Sequence, residues 1–189
     1  MINYTREIGS LMDRDLDNTS EVALACSTGL RLGGALYILA ERAGLADSYY
    51  LADAGLRAGL RAAAGRTLNQ DLLRQAWSGL DVAQRSYSAK RAAAFTQAGF
   101  AVIGRALQML EQSNQQHGVP EIHSLAVEAA ALWPGPVDSE MDPAGSLVTY
   151  ERACQIHAHR ALVTGGLTKL RHVMGAQELA YRRLAEALA

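Results

Sequence analysis

The chain has 189 residues, of which 49% are hydrophobic, and its 18 basic and 19 acidic side chains give a formal net charge of -1. This length predicts one domain, and the hydrophobic fraction excludes a chain that is disordered throughout. The balanced charge excludes a polybasic protein that is drawn as a whole to nucleic acid or to anionic membranes.

The composition predicts an all-α fold, a single-domain helical bundle of seven or eight helices over residues 1–189. Alanine and leucine are the commonest residues, and both favour helix, whereas β-branched residues form no alternating runs typical of strands. Cys26 and Cys154 lie too far apart in the sequence for a metal knuckle or a redox motif. We therefore expect two free thiols, as is usual in a cytoplasmic protein.

Helix-capping and helix-ending residues predict the elements in chain order. A first helix covers about residues 3–16, a second extends from about residue 18 to 43 before Gly44, and a third runs over residues 47–64 before Gly65. Thr67 and Gln70 form a capping box for a fourth helix that reaches about residue 86. Residues 88–113 form either a fifth helix or the continuation of one long rod that begins at residue 68.

The second half of the chain contains the clearest break in helical pattern. A short helix over about residues 121–132 runs into residues 133–142, an acidic segment with Pro134 and Pro136 that is predicted to be an irregular crossover. Asp142 before Pro143 then predicts the start of a long helix. We expect this helix to break at residues 165–166, where two glycines adjoin, and to resume toward the C-terminus, with a second candidate kink at residue 175.

The longest apolar stretch, residues 22–40, approaches the length of a membrane span. Arg31 lies at its centre, and Gly33 and Gly34 dilute it, so it is interpreted as a buried core helix instead. The first 18 residues are acidic, unlike a signal peptide. A cytoplasmic protein with no membrane contact is therefore expected.

Glycine recurs inside two predicted helices in the pattern G-L-R-x-G. Gly29 and Gly33 form one pair, and Gly55 and Gly59 form the other. A spacing of four places both members of a pair on one helix face, which favours close helix packing. A hinge near Gly33 and an anion site that includes a neighbouring arginine are the alternatives. Neither run fits a nucleotide-binding motif.

His159 is the main candidate for reactive chemistry. It is either a partly exposed helix histidine or the reactive residue of a small helical enzyme or of a histidine phosphotransfer protein. The lysine that is expected near a phosphoryl-accepting histidine is absent. Glu151, Gln155 and His159 form a stripe four residues apart, and Cys154 and His157 lie three apart. Two ligands from one helix leave a metal site incomplete, so neither a metal nor another cofactor is expected.

The favoured function is that of a non-enzymatic, protein-binding regulator or adaptor that acts through helix-mediated contacts with another protein. Residues 54–105 carry eight basic and two acidic side chains, whereas residues 106–151 carry seven acidic and no basic ones. Such blocks suit docking of helices or self-association as a homodimer. The candidate partner-binding residues are Arg57, Arg61, Arg74, Trp77, Asp138 and Glu140. A nucleic-acid accessory factor that uses the basic stretch 57–91 is the second alternative, and it is disfavoured because Asp71 and Asp81 interrupt the stretch.

Overall fold

The computed structural model describes residues 7, 10, 16–87, 92–112, 118–137, 141 and 145–188. This part of the chain is entirely helical apart from its connections and contains no strand. Its helices are α1 (Asn18–Arg42), α2 (Ala46–Ala63), α3 (Gln70–Ser86), α4 (Ala93–Glu111), α5 (Gly118–Ala131) and α6 (Leu147–Ala187).

The all-α helical bundle predicted from the sequence is confirmed, but the predicted count of seven or eight helices is slightly too high. Six helices are present in the described ranges. The predicted helix over residues 3–16 lies almost wholly outside them, since only residues 7 and 10 are described there, both in helical conformation. The two helices predicted on either side of residues 165–166 are joined in α6.

Helix α6 folds back on itself at Gly166, where φ is 62° and ψ is -160°. The Tyr181 hydroxyl donates a hydrogen bond to Glu151 at 2.8 Å although 30 residues separate them. A straight helix would place two such residues about 45 Å apart. The helix therefore consists of a first arm, residues 147–165, and a second arm, residues 167–187, that lie side by side. The predicted break at this position is confirmed.

The structure decides one connection that the sequence left open and corrects another. Helices α3 and α4 are separate, because Tyr87 adopts an extended backbone (φ -75°, ψ 103°) that ends α3, so the single rod is wrong. The long helix begins at Leu147 rather than at Pro143, and the Ser146 side chain accepts a hydrogen bond from the Thr149 amide at its N-terminus. Residues 133–137 and 141 are non-helical, in agreement with the predicted crossover.

Helix α1 is the centre of the bundle and packs against α2, α4, α5 and α6. Its length and a mean hydropathy of 1.5 would suit a membrane span, yet 89% of that apolar window is buried inside the fold. Because helices surround it on several sides, α1 is apolar around most of its circumference, as expected of a core helix. Cys26 on α1 and Cys154 on α6 are free, buried thiols.

The glycine pairs lie where neighbouring helices approach closely. A Cβ on Gly29 would come within 2.8 Å of Leu56 on α2, and one on Gly59 would come within 2.6 Å of the Cys26 sulfur on α1. The two G-L-R-x-G runs therefore meet each other across the α1–α2 contact. Gly55 leaves room for Ala76 of α3, and Gly33 for the Tyr49 hydroxyl.

Candidate functional site

A cleft of about 400 Å³ opens between α1, α2 and the second arm of α6. We call it the tyrosine cleft because Tyr37, Tyr49 and Tyr50 line it together. The Tyr37 ring lies 6.1 Å from that of Tyr49 and 5.5 Å from that of Tyr50, both in tilted or edge contact. Tyr50 is 57% exposed and Leu179, also in the lining, is 49% exposed. The cleft thus presents apolar surface to solvent.

Four charged side chains complete the lining of the tyrosine cleft, and an ion-pair bridge connects three of them. Arg57 donates from Nε to Asp53 and from Nη2 to Glu178, each at 2.7 Å, and so links α2 to the second arm of α6. Burial raises the pKa of Glu178 above its usual range, although Arg57 opposes the shift. The fourth, Arg182, lies over the Tyr37 ring at 5.5 Å and pairs with Glu186 outside the lining.

Two glycines of the lining shape the tyrosine cleft. A Cβ on Gly34 would overlap the backbone carbonyl oxygen of Glu178, so this glycine permits close contact between α1 and the second arm. Gly175 faces open space: apart from its own helix, no atom of the described residues lies within 4 Å of the place a Cβ would occupy. The Tyr49 hydroxyl lies over Gly33 and, although buried, has no hydrogen-bond partner among the described residues. Burial, together with the carboxylates of the bridge, raises the pKa of Tyr49 well above its usual range.

A second polar site, the Arg31 cluster, is closed inside the bundle. It comprises Arg31 of α1, Glu151 and Gln155 of the first arm, and Gln177 and Tyr181 of the second arm, all buried. Glu151 accepts four hydrogen bonds: two from Arg31 at 2.5 and 3.0 Å, one from Gln155 at 3.0 Å and one from Tyr181 at 2.8 Å. Burial alone would lower the pKa of Arg31, but the Glu151 carboxylate raises it above its usual range. Each carboxylate oxygen of Glu151 therefore already accepts two hydrogen bonds.

Two histidines lie beside the Arg31 cluster. The rings of His123 and His159 are 5.2 Å apart in edge contact, and His159 is only 2% exposed. Both ring nitrogens of His123 and Nε2 of His159 are buried without a hydrogen-bond partner in the described part of the chain. Burial, reinforced by the positive charge of Arg31, lowers the pKa of His159 to about 4 and that of His123 well below its usual range. Both imidazoles are therefore neutral near pH 7.

The thiols are equally unsuited to nucleophilic attack. Burial raises the pKa of both Cys26 and Cys154 to about 12, so each is a protonated thiol at neutral pH. Within the described ranges, no group of three or more histidine, cysteine, aspartate and glutamate side chains is placed to hold a metal ion.

The candidate partner-binding residues from the sequence are dispersed. Arg57 lies in the tyrosine cleft, whereas Trp77 on α3 is half-buried near Gly104 of α4. Arg61 and Arg74 are exposed, and Arg74 pairs with Asp71 on its own helix. The other two candidates, Asp138 and Glu140, lie outside the described residues. Of the named positions in the described part of the chain, Arg57 is the one that reaches the cleft.

The interpretation of His159 as a partly exposed helix histidine is wrong. The stripe of Glu151, Gln155 and His159 faces inward because it meets Arg31, whose buried charge requires a carboxylate partner. Sequence reasoning also missed the tyrosines of the cleft. Adjacent Tyr49 and Tyr50 were the only local indication, since the rest of the lining comes from helices distant in sequence.

No protein-family model, no curated protein and no solved structure shows significant similarity to this chain.

Proposed function

We propose that this protein is a non-enzymatic binding protein that acts through contact with another protein, and that the tyrosine cleft receives part of that partner. The observation that carries the proposal is the lining of the cleft, in which three tyrosines and two arginines surround about 400 Å³ of open space. Tyrosine and arginine are enriched among residues that dominate binding energy at protein interfaces. Exposed Tyr50 and Leu179 provide the apolar contact area beside them.

The position of the reactive groups favours binding over catalysis. Glu151, Cys154 and His159 are each 2% exposed or less, so a substrate or a phosphoryl donor has no direct approach to them. A general acid or base must lie within hydrogen-bond reach of the reacting group. The phosphotransfer alternative at His159 would require the two arms of α6 and α5 to separate first.

Intramolecular ion pairs disfavour the nucleic-acid alternative. Arg57 is held by Asp53 and Glu178, Arg74 by Asp71, and Arg85 by Asp81. Arginines that are already neutralised release fewer counterions when they approach phosphate, so they add less to nucleic-acid affinity. A cytoplasmic location and self-association as a homodimer remain predictions from the sequence.

The proposal is tested by purifying the tagged full chain from its source cells, with nuclease, at moderate and at high salt. Leu179→Lys places a positive charge on the apolar rim of the tyrosine cleft. Val82→Lys is the matched control, because Val82 on α3 is similarly exposed (43%) and lies outside the lining. We expect a stoichiometric partner protein with the wild type and with Val82→Lys, and at least about tenfold less of it with Leu179→Lys, since a charge buried at an interface is costly.

Recovery of the same partner at equal yield with Leu179→Lys would contradict a role for the cleft. Loss of the partner on nuclease treatment would instead support the nucleic-acid alternative.

A further inference from the structure

The ion-pair bridge in the tyrosine cleft leaves one oxygen of each carboxylate without a hydrogen bond from the described residues. Arg57 is shared between the carboxylates of Asp53 and Glu178, and it contacts one oxygen of each. The second oxygens, Oδ1 of Asp53 and Oε2 of Glu178, accept no hydrogen bond from the described residues. Arg182 donates to neither of these oxygens, because its guanidinium pairs with Glu186, although its charge also acts to lower the pKa of Glu178. Two acceptor oxygens of the lining are therefore free for a ligand.

The aromatic side of the cleft suits a cation as well. A cation placed over a tyrosine ring is attracted by the negative face of the π system. The Arg182 guanidinium already lies 5.5 Å above the Tyr37 ring, so this ring tolerates such a neighbour. The Tyr37 hydroxyl lies 3.5 Å from the Glu41 carboxylate, which adds a further negative group next to the lining. In addition, the buried Tyr49 hydroxyl, which lies over Gly33 of the lining, has no hydrogen-bond partner among the described residues and can accept one.

We infer that the tyrosine cleft binds an organic cation, namely the guanidinium or ammonium group of a basic side chain on the partner protein. The N–H groups of that cation would donate to the free oxygens of Asp53 and Glu178, while its alkyl stem would contact the tyrosines and Leu179. An anionic group would instead meet the free carboxylate oxygens of Asp53 and Glu178, which accept hydrogen bonds and cannot donate to it. This inference rests on the proposed function, because it assigns the chemistry of the partner at the same site.

The test titrates the purified full chain with N-acetyl-arginine methylamide and N-acetyl-lysine methylamide. Amide NMR signals of Gly33, Gly34 and Gly175 report on the cleft, since all three line it. We expect these signals to shift with dissociation constants on the order of 0.1–1 mM, as is usual for ligands of this size. The citrulline analogue has the shape of arginine without its charge, and we expect it to bind at least about tenfold more weakly.

Variants identify the recognising carboxylate. Glu178→Gln removes one negative charge and leaves Arg57 paired with Asp53, and we expect it to weaken both cationic probes about tenfold. Glu121→Gln is the matched control, because Glu121 pairs with Arg105 at the same distance of 2.7 Å but lies outside the cleft. It should leave the affinity unchanged.

Equal affinity for arginine and citrulline probes, stronger binding of N-acetyl-glutamate methylamide, or signals that do not shift would each overturn the inference. Failure of the inference and failure of the proposed function are distinguishable. A partner protein that is lost with Leu179→Lys but retained at full yield with Glu178→Gln supports the function and overturns the cation. Cationic probes that bind in the cleft of a chain that captures no protein support the cation and point to a free amine as its source.

Discussion

Arg31 and Arg57 each link another helix to the second arm of α6, and their surroundings differ in one decisive respect. Arg31 donates to Gln177, and Arg57 to the adjacent Glu178. In the Arg31 cluster one carboxylate, Glu151, accepts four hydrogen bonds and is sealed from solvent. In the tyrosine cleft two carboxylates share one guanidinium and face an open space. The same pairing of arginine with carboxylate is therefore a closed structural contact where every carboxylate oxygen is hydrogen-bonded, and we propose that it binds a partner group where oxygens remain free.

The largest effect on stability is expected when Arg31 is left without its carboxylate partner. We expect Glu151→Ala to lower the free energy of unfolding by about 3–5 kcal/mol, because it leaves an uncompensated charge in the core. Urea denaturation measures the effect. Combining it with Arg31→Leu should recover most of the loss, since both buried charges are then gone.

Glu121→Ala is the control for that measurement. The Glu121 carboxylate also pairs with an arginine, but its side chain is 56% exposed. Its removal should cost no more than about 1 kcal/mol. Equal losses for Glu121→Ala and Glu151→Ala would show that the buried pair has no special role in stability.

Two glycines that line the tyrosine cleft differ in the space beside them, and alanine substitutions there should have opposite effects on stability. Gly34→Ala should lower the free energy of unfolding by up to about 3 kcal/mol, because the new Cβ meets the Glu178 backbone, which cannot rotate away. Gly175→Ala should raise it by about 0.5–1 kcal/mol, since it adds helix propensity and meets nothing. Thermal and urea unfolding of both variants give the two signs. A stable Gly34→Ala protein would contradict the close contact of α1 with the second arm.

Much of the architecture could be predicted from sequence because its causes are local. Alanine-rich helical periodicity and terminal glycines such as Gly44 and Gly65, both with positive φ, mark the helices and their ends. The break in α6 was also predictable, since Gly165 and Gly166 stand in a long helical pattern and Gly166 has a positive φ. The start of α6 was placed too early because Asp142 and Pro143 resemble a helix start, whereas Ser146 provides the cap.

The two polar sites could not be predicted because their partners are distant in sequence. Arg31 in an apolar helix requires a buried carboxylate, but only the fold identifies Glu151, which is 120 residues away. In the tyrosine cleft, Arg57 was named from its helical charge pattern, while Glu178 is brought to it by the reversal of α6. No spacing rule within one helix connects these residues.

The buried histidines beside the Arg31 cluster should lower the stability of the fold in acid. A histidine whose pKa is about 4 in the folded protein takes up its proton near pH 6.5 only when the chain unfolds. Stability therefore falls as the pH drops from about 6.5 toward 4, and it stops falling from this cause below the folded pKa. For His159 alone we expect a loss of about 2 kcal/mol between pH 7.5 and pH 5, measured by urea denaturation at each pH.

His159→Leu should remove that share of the acid sensitivity while changing stability little at pH 7.5, because Nε2 of His159 has no hydrogen bond to lose in the described structure. His172→Gln is the matched control, since His172 is exposed on the second arm of α6 and should leave the pH profile unchanged. If His159→Leu leaves the acid loss intact, protonation of His159 on unfolding does not account for the acid sensitivity of the fold.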